Sequence, residues 1–258
     1  MRHADNDSRR RWILRALAGT GALVLGGCEK LAGTAWFQKT MDAGETLTRR
    51  AQRLVIPRKA LAQEFTLADL SPEFRSNGTS EPDNPRYLAM ASSGFSDYRL
   101  QVDGLVEQPA SYSLAELRAL PSRTQITRHD CVEGWSAIAQ WKGAKLSSVL
   151  EAARPKASAR YVVFHCADPM ESGGRSLYYE SIDLDDAYHL QTILAYELNN
   201  KALPVANGAP IRLRVERQLG YKHAKYVMRI ELVESFDKIA GGKGGYWEDH
   251  GYQWYAGI

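Results

Sequence analysis

The stretch "IRLRVERQLGYKHAKYVMRIELVES", residues 211 to 235, sets the tightest limit on what this chain can fold into. Apolar residues alternate with polar ones at a period of two on both sides of a glycine turn. That pattern reads as two strands, the second long, and not as a helix. The same signal recurs along the chain. "YRLQVDGLV" places Tyr98, Leu100 and Val102 on one face, and "RYVVFHC" is a short buried strand of β-branched and aromatic residues. "TILAYELNNKALP" reads as two strands about an Asn-Asn turn. Helical signals are short. Ser113-Leu114-Ala115-Glu116 fits a capping box opening a helix to Leu120, and "KLSSVLEAAR" spaces Leu146, Val149 and Leu150 along one face. There is no internal repeat and no βαβ series, so the fold class is α+β, dominated by mixed β-sheet with short helices.

At 258 residues the chain is long enough for a large core, and 44% hydrophobic with 24% charged residues is ordinary for a globular protein. A net charge of +3 gives no argument for nucleic acid or a membrane surface as a partner. The N-terminus carries the basic cluster Arg9-Arg10-Arg11, a moderately apolar run from Trp12 to Leu25, and then small residues. This is the layout of an export signal, too short for a secure spanning helix. Ser8 to Ile13 fits the twin-arginine consensus, and Leu25-Gly26-Gly27-Cys28 fits a lipobox with Cys28 as the acylated residue. The expected organisation is a signal over 1–28, a polar helical tether or arm over 29–70, and one domain over 71–258. The expected location is the periplasm, with a lipid anchor at Cys28. Cargo of the twin-arginine route is exported folded and often carries a cofactor.

If Cys28 is acylated, two of the three cysteines remain, Cys131 and Cys166. Cys131 lies in "TRHDCVEGWS" and leaves three readings open: half a disulfide, a thiolate nucleophile, or a metal ligand. His129, Asp130 and Cys131 with His165, Cys166 and Asp168 could form a zinc or copper site, although the spacing matches no compact zinc motif. "NGAPIRLRVERQLGYKHAK" adds Asn207, Arg212, Lys222, His223 and Lys225 near the ends of one hairpin-like unit. Converging cations and backbone N–H groups suit a phosphate or pyrophosphate.

"HDCVEGWS", "WKGAKLSSVLEAA", "YVVFHCAD", "LPVANGAPIRLRVERQLGYKHAKYVMRIELVE" and "WEDHGYQWYAGI" together resemble the sulfite-oxidase-type molybdopterin oxidoreductases. The similarity runs in order from Phe74 to the C-terminus. It is nearest the exported bacterial branch that includes the catalytic subunit of the periplasmic methionine-sulfoxide reductase. The resemblance implies a single Mo-molybdopterin, with Cys131 as the thiolate on molybdenum. A soft thiolate suits a metal that cycles between Mo(VI) and Mo(IV). It assigns Phe74, Arg75 and Asn77 to a loop around the pterin, Asn77 standing where the family pattern carries His. Asn207 and Arg212 fall in the family's "GxPxR" block, and His223, Ala224 and Lys225 match its phosphate clamp. Cys166 or Asp168 would meet the pterin edge, a carboxylate being the better acceptor for an exocyclic amine.

The resemblance also predicts where this chain departs from sulfite oxidases. Glu133 and Trp135 stand where those enzymes follow the cysteine with oxyanion-binding arginines, so a sulfite dianion would face a carboxylate. Tyr252 matches the family's active-site tyrosine; its alternative is packing in an aromatic tail. With no immunoglobulin-like domain after Tyr252, the expectation is a monomeric catalytic subunit. With no "CxxCH" haem motif, electrons would come from or go to a membrane cytochrome or another electron-transfer subunit. The expected activity is oxygen-atom transfer, favoured as reduction of small S-oxides, with sulfite dehydrogenation as the alternative.

Overall fold

A computed structural model describes residues 34–55, 57–171 and 176–258. The export signal and Cys28 lie outside the described residues. The chain divides into two units at Val55. In the first, the described part is one helix, α1 (Ala35–Val55). The second, Ile56–Ile258, holds all the strands and the remaining helices.

In chain order this unit contains α2 (Pro85–Ser92), β1 (Arg99–Gly104), β2 (Ala110–Ser113), α3 (Leu114–Ala119), β3 (Ser122–Asp130), β4 (Ser136–Lys145) and α4 (Leu146–Ala153). There follow β5 (Tyr161–Pro169), β6 (Leu177–Asp183), α5 (Leu184–Ala187), β7 (Ile193–Leu198), β8 (Lys201–Ala202), β9 (Arg212–Arg214), β10 (Val227–Val233) and α6 (Tyr246–Asp249). One sheet has the order β2-β1-β10-β5-β6, with β1 and β10 parallel and its other pairs antiparallel. The other runs β3-β4-β7-β8, with β9 on β7, all antiparallel. The main core draws on both sheets: Leu100, Val162, Phe164 and Ile230 from the first meet Ala144, Leu194 and Leu213 from the second. This is the expected α+β class with mixed sheet.

Local chemistry explains the elements that the sequence announces. Ser113 and Glu116 form the reciprocal cap of α3. Asn199 and Asn200 both take positive φ, 50° and 61°, which turns β7 into β8 with a twist that matches the strands. α4 buries Leu146, Val149 and Leu150.

Three features differ from the sequence expectation. Residues 211 to 235 are not a hairpin, because β9 is only three residues long and joins β7, while β10 joins the other sheet. Arg212 and Arg214 are both fully buried on β9, and the chain needs residues 215–226 to reach across the sheets and supply polar partners for them. Leu213 N–H donating to Ala224 O, at 2.8 Å, and Val227 N–H to Ile211 O, at 3.2 Å, close this crossing. Second, β3 and β4 form a nine-pair antiparallel ladder that alternation did not reveal, since β3 turns Gln125, Thr127 and His129 inward. Third, residues before 71 add to the domain: Phe65 N–H donates to Ile126 O, Glu64 bridges Thr127, and Gln191 bonds the backbone of Ala62.

One buried ion cluster ties the domain's last segment to its middle. Lys222 Nζ donates to Glu180 on β6 and, at 2.6 Å, to Glu248 on α6, and all three side chains are essentially inaccessible. Removing the cation strands two carboxylates in the core, which costs about 3–5 kcal/mol. Lys222→Met should therefore lower the urea midpoint sharply. The triple variant Lys222→Met/Glu180→Gln/Glu248→Gln should recover much of the loss.

Candidate active site

The turn between β3 and β4 presents Cys131. Cys131 N–H donates to Trp135 O (2.9 Å) and Gly134 N–H to Cys131 O (3.0 Å), with Gly134 at φ +84°. This turn holds the thiol at the wall of a cleft. Burial raises the Cys131 thiol's pKa, and the nearby Glu133 carboxylate adds to the rise. Left alone the group is a thiol; a bound metal cation is what would make it a thiolate. Glu133 sits at the same wall and accepts from Trp135 Nε1 at 2.9 Å.

The opposite wall comes from the end of β5. Asp168 reaches the cleft with Oδ1 buried and unbonded, and burial pushes its pKa up to about 7 against the lowering pull of Lys225. Cys166 lies behind it in the core, its Sγ donating weakly to Phe164 O, and does not line the cleft. Of the two candidates for the pterin edge, Asp168 is the one the fold presents. Cys131 and Cys166 are both free thiols. Among the described residues no cluster of three or more His, Cys, Asp or Glu could hold a metal, so the zinc or copper reading finds no ligand set.

The floor is the crossing segment, with Gly220, Tyr221, His223 and Lys225 lining the cleft. Gly208, at φ +108°, lets Arg212 and Lys225 close on it; a Cβ there would meet Lys225 Cβ at 2.9 Å and Arg212 Cβ at 3.1 Å. Arg212 donates to Asn207 O (3.1 Å) and His223 O (3.3 Å), and Lys225 to Ser76 Oγ (3.3 Å), Ala206 O (3.0 Å) and Thr79 O. These partners are neutral. Burial therefore drives Arg212 down to about 9 and Lys225 down to about 7, and each loses further through like charge nearby. Ala224 sits between His223 and Lys225 with its carbonyl bonded to β9.

The remaining candidates divide. Asn77 lines the cleft and Oδ1 is buried without a partner. Phe74 packs edge-on to Trp141 and His129, and Arg75 lies 5.6 Å over the Trp135 ring, so both support the wall from outside the lining. Tyr252 is at the mouth, stacked on Trp247 (5.3 Å) and edge-on to Tyr221 (5.3 Å). Sequence reasoning did not find Tyr178, Tyr221 and Trp247 in the lining; their aromatic positions read as core.

Buried polar atoms without partners are rare in folded proteins, yet a group of them borders this cleft. In the lining, Asn77 Oδ1, Asp168 Oδ1 and His223 Nδ1 can accept; Asn207 Nδ2 and Arg212 Nε can donate but lie outside the lining. Burial and Arg214 hold His223 neutral, and its Nε2–H serves Gln218 O, which leaves Nδ1 as an acceptor. A thiol, unneutralised cations and acceptors for ring N–H groups are the donor set that a phosphorylated pterin carrying molybdenum requires. The residues fit.

Residues 88–238 match the family model described as an oxidoreductase molybdopterin binding domain. The chain belongs to this family. Among curated relatives, a putative protein-methionine-sulfoxide reductase subunit YedZ1 from Azospira oryzae is 33% identical over 256 residues, 99% of this chain and 90% of that one. The protein-methionine-sulfoxide reductase catalytic subunit MsrP from Xanthomonas axonopodis pv. citri is 35% identical over 242 residues, 90% and 72% of the two chains. The crystal structure of sulfane dehydrogenase SoxCD from Paracoccus pantotrophus aligns with a TM-score of 0.48 at 22% identity, covering 56% of this chain and 41% of that one. The chain is thus a molybdopterin oxidoreductase, an enzyme.

Two predictions follow from the geometry. Cys131→Ser should abolish activity and molybdenum retention while pterin stays bound, because Arg212 and Lys225 are intact; Lys225→Met should lose both. Metal analysis and pterin fluorescence separate the two. The second concerns pH. Asp168 has a folded pKa above its unfolded value, so its contribution favours folding at low pH and is lost as pH climbs from about 4 to about 7. Between pH 5 and pH 8, cofactor-free Asp168→Asn should lose less stability than the parent in urea melts.

Proposed function

We propose that the chain reduces S-oxides, or chemically similar oxides, to the sulfide level with electrons from a membrane haem protein. The observation that carries the reading is the charge of the cleft. Among the described residues no arginine lines it, and Glu133 stands beside Cys131. A dianion such as sulfite would enter against that carboxylate, whereas a neutral, polar S=O group would not. Curated relatives carrying the name methionine-sulfoxide reductase support the same direction.

In this reading Cys131 ligates molybdenum, and Asn77, Asp168, Asn207, Arg212, His223, Ala224 and Lys225 hold the molybdopterin. The bound group supplies two-electron oxygen-atom transfer. The chain's own residues do the rest. Arg212 and Lys225 take the phosphate and regain a counter-ion for two buried charges. Asp168, near neutrality at about 7, accepts from or shares a proton with the pterin edge. Tyr252, fixed by its stack on Trp247 and by its N–H bond to Trp247 O at 2.9 Å, lines the cleft. It can donate to the oxide oxygen as negative charge grows there. Val132, Met170 and Trp247 give the entrance an apolar rim that keeps water away from the sulfur substituents.

We also infer export by the twin-arginine route, anchoring at Cys28 and a periplasmic location, on the strength of the N-terminal sequence.

The test is a steady-state screen of molybdenum-loaded protein: reduced viologen with methionine sulfoxide and other S- and N-oxides, beside ferricyanide with sulfite. Oxide turnover is expected, with Tyr252→Phe lowering kcat by about tenfold or more. Fast sulfite oxidation with no oxide turnover would show that Glu133 does not select against the dianion.

A further inference from the structure

α1 is amphipathic in a particular way. Trp36, Leu47 and Leu54 lie 11 and 18 residues along, close to three and to five full turns at 3.6 residues each, so they form one line down the helix. All three are exposed, at 60%, 69% and 88%, as is Val55 at 79%. Phe37 sits beside this line, its ring edge-on to Trp36 at 5.9 Å. Lys39 and Arg50 are exposed, and each falls three residues after a stripe residue, which places them along one border. The sequence over 35–55 has four Lys or Arg and two Asp or Glu, a net +2.

A stripe like this can meet another helix or a lipid surface. The heptad positions that would form a helix–helix seam from Trp36 are Thr40, Ala43, Leu47, Arg50 and Leu54. Such a seam would bury Arg50 and offer two small residues where knobs are needed. The helix also has too many charges to cross a bilayer, and no described helix is long and apolar enough to do so. Low overall hydrophobicity, an aromatic and leucine line, and a cationic border are what an interfacial helix needs: apolar anchors in the acyl boundary and cations at anionic headgroups.

We propose that α1 lies flat on an anionic lipid bilayer and forms a second attachment of the enzyme to the membrane. The inference extends the export reading and does not require the acyl group. The helix begins seven residues after Cys28, so an acylated Cys28 would keep its start within about 25 Å of the bilayer.

The experiment uses the cofactor-loaded chain from Glu29 onward, which lacks any acyl group, with vesicles of phosphatidylcholine alone or mixed equally with phosphatidylglycerol. Flotation should show binding to the mixed vesicles, about tenfold weaker or worse for Leu47→Glu/Leu54→Glu. Lys39→Glu/Arg50→Glu should weaken binding to the mixed vesicles only. Viologen activity should be the same in all three proteins, since none of the substituted residues is among those assigned to the cofactor or the substrate. Equal binding by the parent and the Leu47→Glu/Leu54→Glu variant, or none by either, overturns the proposal. So does a dimer in ultracentrifugation that the double variant abolishes, which would make the occupant a second copy. Binding to native membranes that is absent from protein-free vesicles would make it a membrane protein. The mass of the exported chain tests acylation separately, so a failed anchor is not confused with a failed helix.

Discussion

Four cations are buried within fourteen residues of one another in this chain: Arg212, Arg214, Lys222 and Lys225. The rest of the structure depends on how each is balanced. Arg214 donates from Nε and Nη2 to the two carboxylate oxygens of Glu216, and Lys222 has Glu180 and Glu248. Those two are structural; Lys222 is even held above its ordinary range by its carboxylates despite full burial. Arg212 and Lys225 have only carbonyl and hydroxyl oxygens, and both are pulled down. Similar burial with unequal neutralisation separates Arg214 and Lys222, which have carboxylate partners, from Arg212 and Lys225, which the proposed function gives to the cofactor's phosphate. No motif is needed for that distinction; it follows from the partners.

The same crossing segment explains why the cleft exists. β9 and β10 belong to different sheets, so residues 215–226 pass between them. Along that path the chain makes the three-residue turn Gly220–Lys222, whose first two residues face the cleft while Lys222 turns into the ion cluster. Gly220 is required at its position because a Cβ would meet His129 Nε2 at 2.5 Å. His129 is itself fixed by Arg214, at 2.9 Å, and packs against Phe74, Trp135 and His223. The wall carrying Cys131 and the floor carrying Lys225 are therefore braced by one set of side chains.

Much of this was legible in the sequence, and the failures have a common cause. Strands with apolar alternation, such as β1, β5 and β10, could be read, as could α3 from its cap and the β7–β8 turn from two asparagines. β3 could not, because it faces Gln125, Thr127 and His129 inward, and the inward face is polar where it supports Arg214 and Glu216. The apparent hairpin over 211–235 failed for a related reason: arginines at alternate positions look like a solvated face when they are in fact buried. For the site, Cys131, Asn77, Asp168, His223 and Lys225 came from motifs and meet in one cleft. The aromatic wall of Tyr178, Tyr221 and Trp247 did not, since aromatic residues in strands and tails read as core whether or not they edge a cavity.

The arrangement of carboxylates carries the argument one step further. Glu180, Glu216 and Glu248 are buried but committed to internal cations. Asp168 faces the cleft, close enough to neutrality that it carries a partial charge at most at neutral pH, and it sits beside the cations that would take a phosphate. Glu133 is the other carboxylate among the described lining residues, beside Cys131 and tethered by Trp135. Among the described residues the lining holds one cation, the buried Lys225, and an exposed carboxylate, Glu133, beside Cys131. In the proposed function, Lys225 would take the cofactor's anionic tail and Cys131 its metal. A substrate arriving from outside meets the carboxylate and the apolar rim first. An anion is disfavoured at that point by the carboxylate, and a neutral oxide is not. In the proposed function, Lys225 and Glu133 would thus divide the work, one holding the cofactor and the other selecting against an anionic substrate.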